Sequence, residues 1–261
     1  MEINSLSKLI EELLLIKKNH VISSDQDYVI LVTGGEGSGK SMIGYYLCYA
    51  IDDAYNKEQI CFTAIEYLKI QRKLKKEHHE RGRCLLLDEG GAVLLNRKSM
   101  HKANIMLIEN FILCRAANMF HFICVPSIEY IDKYIREQRV RMVINCKYID
   151  KEYFITNRYA RVFLKPTIDK WRKLTGSYDF LDGDVTFGER HISTHDAEFM
   201  LPHIPDLLGE EKLQDYYVKK NARRESNLDE VIKELDDYEH DKREGKQKQE
   251  FRRKDFKKHK D

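Results

Sequence analysis

Gly34-Gly35-Glu36-Gly37-Ser38-Gly39-Lys40-Ser41 is the stretch that decides the fold. It fits G-x-x-x-x-G-K-[ST], the pattern of a phosphate-binding loop. Its flanks are the ones that pattern needs. The apolar run Tyr28–Val32 reads as a strand leading in, and Met42–Ala54 reads as a helix leading out. Glycines let backbone N–H groups turn inward around phosphates without a Cβ in the way. A helix starting near Lys40 turns the positive end of its dipole to the same anion. The candidate nucleotide-binding residues are therefore Gly34, Gly35, Glu36, Gly37, Ser38, Gly39, Lys40, Ser41 and Met42. Lys40 is expected to reach the β- and γ-phosphates of ATP, and the Ser41 hydroxyl to ligate Mg²⁺. The loop is not G-x-G-x-x-G, which argues against a dinucleotide site.

A second motif completes the set. Leu85-Leu86-Leu87-Asp88-Glu89 reads as an apolar strand delivering two carboxylates to the edge where open α/β sheets bind ligands. Asp88 is expected to hold Mg²⁺, directly or through water. Glu89 is expected to orient and activate the attacking water as general base. Asp88 follows Lys40 by 48 positions, which leaves room for one intervening strand and allows the loop's strand to lie beside the Asp88 strand. An adjacent acidic pair favours hydrolysis over transfer to a small metabolite, because water needs a base.

Outward from these motifs, apolar runs and helical stretches alternate. Gln59–Thr63, Cys84–Leu87 and Phe120–Val125 read as further strands. Helices are expected over Ala64–Lys76, His101–Ala117 and Ile128–Arg139. This alternation implies a mostly parallel central sheet flanked by helices. From Val140 the pattern changes to short strands, Val140–Tyr148, Tyr153–Thr156 and Tyr159–Leu164, expected as an antiparallel edge. Four segments follow: an amphipathic helix in 1–20, a core over 21–165, an irregular appendage packed on it over 166–218, and a charged helical or disordered tail over 219–261. In the tail's last twenty residues ten Lys or Arg stand against four Asp or Glu. That composition reads first as a solubilising tail, and alternatively as a contact for nucleic acid or a protein partner.

Composition bounds the rest. A chain of 261 residues with 42% hydrophobic content holds one large α/β domain plus appendages. Net charge is only +2, so contact with nucleic acid must come from a local patch. The six cysteines form no C-x-x-C pair and mostly sit in apolar runs, as buried thiols do in a reducing compartment. No apolar run is long enough for a transmembrane helix, and a cytoplasmic location is expected.

Two further roles are open. Ser127, after the strand ending at Pro126, is the candidate sensor of the γ-phosphate or the water, and equally a helix cap. An arginine supplied by a neighbouring subunit would neutralise charge on the transferred phosphoryl. Arg97, Arg115, Arg136, Arg139 and Arg141 are available, with Arg115 the leading candidate.

The set formed by Gly34–Ser41, Leu85–Glu89, and the helix–strand–helix around Arg115 and Pro126-Ser127 resembles the FtsK/HerA-like branch of P-loop ATPases, a RecA-like (ASCE) α/β fold that includes viral genome-packaging and DNA-transfer ATPases. The resemblance covers roughly residues 28–165. It implies an ATP-hydrolysing DNA translocase or packaging motor, working as a homo-oligomeric ring, the hexamer of that branch, in the host cytoplasm if viral. It also implies that basic residues after Asp88 (Arg97, Lys98, His101 and Lys102) contact a DNA backbone, a cluster that reads equally as a solvated helix start. The same layout is similar to the cytoplasmic domain of Zot-type proteins, which would make the chain an assembly ATPase acting on protein partners.

Overall fold

The structure is a computed structural model that describes residues 3–24, 26–77, 81–88, 102–113, 118–151, 154–183, 185–187, 190–226, 228–229 and 232. The chain divides into two compact units, Met1–Glu210 and Glu211–Asp261.

The first unit is a mixed α/β domain built on seven strands: β1 (Tyr28–Thr33), β2 (Ile60–Cys61), β3 (Arg83–Leu87), β4 (Met119–Cys124), β5 (Val140–Lys151), β6 (Phe154–Leu164) and β9 (Ala197–Leu201). Their order across the sheet is β2-β3-β4-β1-β5-β6-β9. The pairs from β2 through β5 are parallel, and β6 and β9 add an antiparallel edge. A short hairpin, β7 (Val185–Phe187) with β8 (Arg190–Ile192), stands apart. The expected fold class, a mostly parallel sheet with flanking helices and an antiparallel edge, is the one observed.

The expected neighbourhood of β1 and β3 is not. β4 lies between them, paired to both. The reason is burial. All six β4 residues are buried, so it has no polar face to turn to solvent and takes an interior position, whereas the two-residue β2 forms the edge.

Helices cover both faces. On one face lie α1 (Leu6–Ile16) and α2 (Lys40–Ile51). α2 approaches so closely that a Cβ on Gly44 would meet Leu86 Cδ1 at 3.1 Å and Cys124 Sγ at 3.2 Å. On the other lie α3 (Ala64–Glu77), α4 (Lys102–Leu113) and α5 (Lys165–Thr175). They close over Val29, Leu31, Leu85, Leu87, Ile123, Val143 and Phe163. A last short helix, α6 (Ile204–Leu208), ends the unit.

Several elements differ from the sequence reading. The helix expected over Ile128–Arg139 is two short turns, a 3₁₀ turn at Ile128–Tyr130 and a π turn at Ile135–Arg139. Ser127 caps the first, and Asp132 accepts from the Tyr134 N–H at 2.8 Å to start the second, so each turn has its own local cap. The two strands expected across Tyr153–Leu164 are one, with a register irregularity near Ile149 and Asp150 absorbing the surplus residue. The stretch 166–218, expected to be irregular, contains α5, the hairpin, α6 and the sheet's edge strand β9. In β9, Ala197 and Phe199 are buried while Glu198 and Met200 are exposed. The expected helix ends at His101 and at 114–117, and the tail beyond 232, lie outside the described residues.

The second unit is helical over 211–226. Within it Lys220 Nζ donates to the Tyr216 hydroxyl at 2.9 Å.

Candidate functional site

The octapeptide forms the turn between β1 and α2 at the carboxyl edge of the parallel strands. Gly34, Gly37 and Gly39 all have positive φ, at 139°, 71° and 92°. Gly34 also needs the space. A Cβ there would lie 2.1 Å from the Cys146 carbonyl oxygen of β5. The loop is tied down on its other side too, because the Gly34 N–H donates to the Pro126 carbonyl at 3.3 Å. Gly35, Glu36 and Gly37 are exposed, while Ser38 is buried. Such a loop running into a helix N-terminus offers an anion a row of backbone N–H groups.

Lys40 is the first residue of α2, and its Nζ donates to the Gly35 carbonyl at 2.6 Å, curling over the loop. The Ser41 hydroxyl donates to Asp88 Oδ1 at 2.6 Å, across the end of β4. Asp88 is itself almost fully buried, and its N–H donates to the Cys61 carbonyl at 2.9 Å. A hydroxyl and a carboxylate held together at a helix start are hard oxygen donors suited to Mg²⁺. Two buried hydroxyl oxygens nearby, Thr33 Oγ1 and Ser38 Oγ, have no hydrogen-bond partner among the described residues. Groups of that kind fit a loop shaped around a polar guest.

Ser127 sits beside the loop as well. Its Oγ accepts from the Glu129 N–H at 3.3 Å as a turn cap, and it lines a cavity of about 100 Å³ with Thr33, Pro126, Asn145, Tyr178 and Asp182. The Asn145 amide is held by the Leu181 carbonyl. So the cap reading is observed, and it coexists with a place next to the loop.

The arginines separate. Arg139 and Arg141 stand at the start of β5, the sheet edge opposite the loop, where Arg139 pairs with Asp27 at 3.5 Å. Arg136 lies over the Tyr178 ring at 5.0 Å. Glu89, Arg97, Lys98, His101 and Arg115 lie outside the described residues, and of Lys102 only its place at the start of α4 is described.

Sequence reading missed the β5–β6 side. β5 runs past the end of β1, where Thr33 is level with Asn145, and continues to Lys151. Cys146, Tyr148 and their partners Ala160 and Arg158 then lie on the face that carries α2. Burial pushes the Cys146 thiol up to about 12, and the nearby Lys40 ammonium pulls the other way. Arg158 reaches the loop itself, its Cδ standing 3.6 Å from where a Gly39 Cβ would be. No local signal marks Arg158, since only strand register brings it 119 positions back to Gly39.

No protein-family model matches the chain, and no curated protein sequence matches it. Among solved structures the chain is similar to the N-terminal domain of zonular occludens toxin from Neisseria meningitidis, at 15% identity and a TM-score of 0.33 over 53% of this chain and 84% of that one. It is similar to the genome packaging NTPase B204 from Sulfolobus turreted icosahedral virus 2, solved in complex with ATP-γS, at 14% identity and 0.35 over 55% and 95%. It is similar to the FIGL-1 AAA domain at 16% identity and 0.36 over 53%, spanning 50% of that chain's length. Among the described residues no helix is long and apolar enough to cross a membrane.

Proposed function

We propose that the chain is a Mg²⁺-dependent P-loop ATPase that acts on DNA as a translocase or packaging motor, assembled as a homo-oligomeric ring. The observation that carries the ATPase reading is the Ser41–Asp88 contact, which joins the glycine loop to the carboxylate of a different strand at one sheet edge. Ser41 and Asp88 would hold the Mg²⁺, which supplies positive charge against the β- and γ-phosphate oxygens.

The protein's own groups do the rest in this reading. Loop N–H groups and the α2 N-terminus bind the phosphates. Lys40 leaves the Gly35 carbonyl for the β,γ-oxygens, a short move for an exposed ammonium on a flexible stem. Glu89, next after Asp88 in sequence, takes the proton of the attacking water. Ser127 senses the γ-phosphate from its place beside Gly34. Arg115 reaches the site of the next subunit in the ring. The DNA part rests on sequence, on the basic residues after Asp88 and on the +6 local charge of the last twenty positions.

The test is ATP hydrolysis with and without double-stranded DNA at low and moderate salt. Stimulation that fades as salt rises is expected, because phosphate contacts release counterions. Hydrolysis indifferent to DNA would replace the DNA reading with an assembly ATPase acting on protein. Absence of Mg²⁺-dependent nucleotide binding would overturn the ATPase reading itself.

A further inference from the structure

We infer that Tyr148 and Arg158, a cross-strand pair on β5 and β6, form the nucleoside end of this site: Arg158 holds the phosphate nearest the ribose, and the Tyr148 ring stacks on the base. The inference rests on the ATPase reading above and deepens it.

Direction comes from the sheet. Asp88 follows β3, two strands from β1 on one side, while Arg158 is on β6, two strands from β1 on the other. The Ser41–Asp88 contact marks the side where the metal and the terminal phosphates belong. A nucleotide in this loop therefore has its nucleoside end away from Asp88, toward β5 and β6.

What stands there has the right chemistry. Tyr148 and Arg158 are directly opposite in the antiparallel register, so their side chains share one face, the face of α2. Cys146, two residues before Tyr148 on that face, touches the loop through its carbonyl and feels the Lys40 charge through its thiol. The stem of Arg158 passes over Gly39, the residue before the catalytic lysine. Its Nε is buried and has no hydrogen-bond partner among the described residues. A guanidinium placed so is suited to a phosphate oxygen, which it can bind through two parallel N–H groups. Tyr148 is 40% exposed, a large ring left open beside that arginine. An aromatic face in such a place stacks on any base, since every base has a π-face.

The full chain is titrated with ATP, ADP and inorganic tripolyphosphate in the presence of Mg²⁺. Tyr148→Ala is expected to weaken ATP and ADP about tenfold, about 1.4 kcal/mol, and to leave tripolyphosphate unchanged. Tyr148→Phe is expected to bind as the parent does. Arg158→Ala is expected to weaken ATP and ADP about tenfold or more, and Arg158→Lys to recover only part, because a lysine offers one point charge in place of a planar fork. Melting of the nucleotide-free variants is measured in parallel, and a shift of a degree or two at most is expected, which a purely structural role for the Arg158 stem would exceed. Unchanged ATP and ADP binding in both alanine variants, with binding lost in Lys40→Ala, would overturn the inference and leave the ATPase reading standing. Equal loss of ATP and tripolyphosphate in Tyr148→Ala would overturn the stacking role. A parent chain that binds none of the three would take the ATPase reading down as well.

Discussion

Gly34→Ala is the sharpest probe of how the loop is held, because the structure separates it from its neighbours in the same motif. The added Cβ would stand 2.1 Å from the Cys146 carbonyl oxygen and 2.7 Å from Ser38 Oγ, and real contacts of this kind exceed 3.0 Å. The closer obstacle is backbone, at a residue paired to Ala160 of β6 and next to the last pair with β1, so no side-chain rotation relieves it. The φ of 139° is also one that an alanine rarely adopts. Backbone strain of this sort costs about 1–3 kcal/mol, and forcing volume into a packed site about 1–3 kcal/mol more. A loss of about 2–6 kcal/mol corresponds to a melting temperature roughly 5–20 °C lower for a domain of this size. Gly35→Ala is the internal control, since its φ is not positive and nothing lies within 4 Å of the new Cβ. It should stay within about 0.5 kcal/mol of the parent. Gly37→Ala falls between, with open space but a φ of 71°, at about 1 kcal/mol. The assay is thermal and denaturant unfolding of the nucleotide-free chain. Equal stability of Gly34→Ala and Gly35→Ala would refute the packing of the loop against β5.

Other perturbations test separate parts. Lys40→Ala is expected to abolish ATP binding or turnover with unfolding unchanged, since the described hydrogen bond of its side chain is to an exposed loop carbonyl; equilibrium binding and a melt check both halves. Glu89→Gln is expected to bind ATP yet stall before hydrolysis, and undiminished turnover in that variant would remove Glu89 as the base. Asp52 lies 3.0 Å from Arg83 Nε and also accepts from Gln59 and from the Cys84 N–H, with both charged side chains nearly fully buried, so Asp52→Ala should cost about 3–5 kcal/mol in denaturant unfolding by taking the facing carboxylate from the buried Arg83 charge. Asp27 gives the acid limb. Burial alone would raise its carboxyl, but His121, the Met119 N–H and Arg139 outweigh it and hold the group below its ordinary 3.8. A lowered carboxyl stabilises the fold above its unfolded pKa and loses that contribution as pH falls through the folded value. Stability should therefore fall below about pH 4, and Asp27→Asn should be weaker at pH 7 with a flatter acid limb.

The parts of this domain legible in the sequence are the ones set by local pattern. The octapeptide carries its own conformation, since three of its glycines occupy φ values that side chains avoid, and its flanks are a β run and a helix start. The apolar run before Asp88 reads as a buried strand because all five β3 residues are buried. What could not be read is order and register. Nothing near Phe120 says that its strand inserts between β1 and β3; the reason is that both its faces are buried, which becomes decisive only when an edge place such as that of β2 is the alternative. β9 shows an alternation over only Ala197–Leu201, too short to stand out from the turn signals around it, and it becomes a strand because β6 offers an open edge.

That same distinction decides where the two ends of the candidate site are visible. The phosphate and metal end is written in contiguous motifs, because a loop, a helix start and a strand end are each local structures. Its long-range elements are contacts onto those local structures, such as the approach of Ser41 to Asp88 over 47 positions and a strand in between. The opposite end depends wholly on register. Arg158 faces α2 because it lies opposite Tyr148, and shifting β6 by one residue would turn it to the other face. On that other face Lys147 already meets Asp182, and Asn145 the Leu181 carbonyl. The irregularity near Asp150 lies beyond this pair, toward the hairpin tip, so the register from Tyr148 back to Met142 is unbroken and is fixed by alternating burial: Ile144 and Val162 against one layer, Val143 and Phe163 against the other. Arg158 is thus placed beside Gly39 by the core of the sheet, and its Nε has no hydrogen-bond partner among the described residues, so a change there reads as a change in binding when the melt of the nucleotide-free variant stays put.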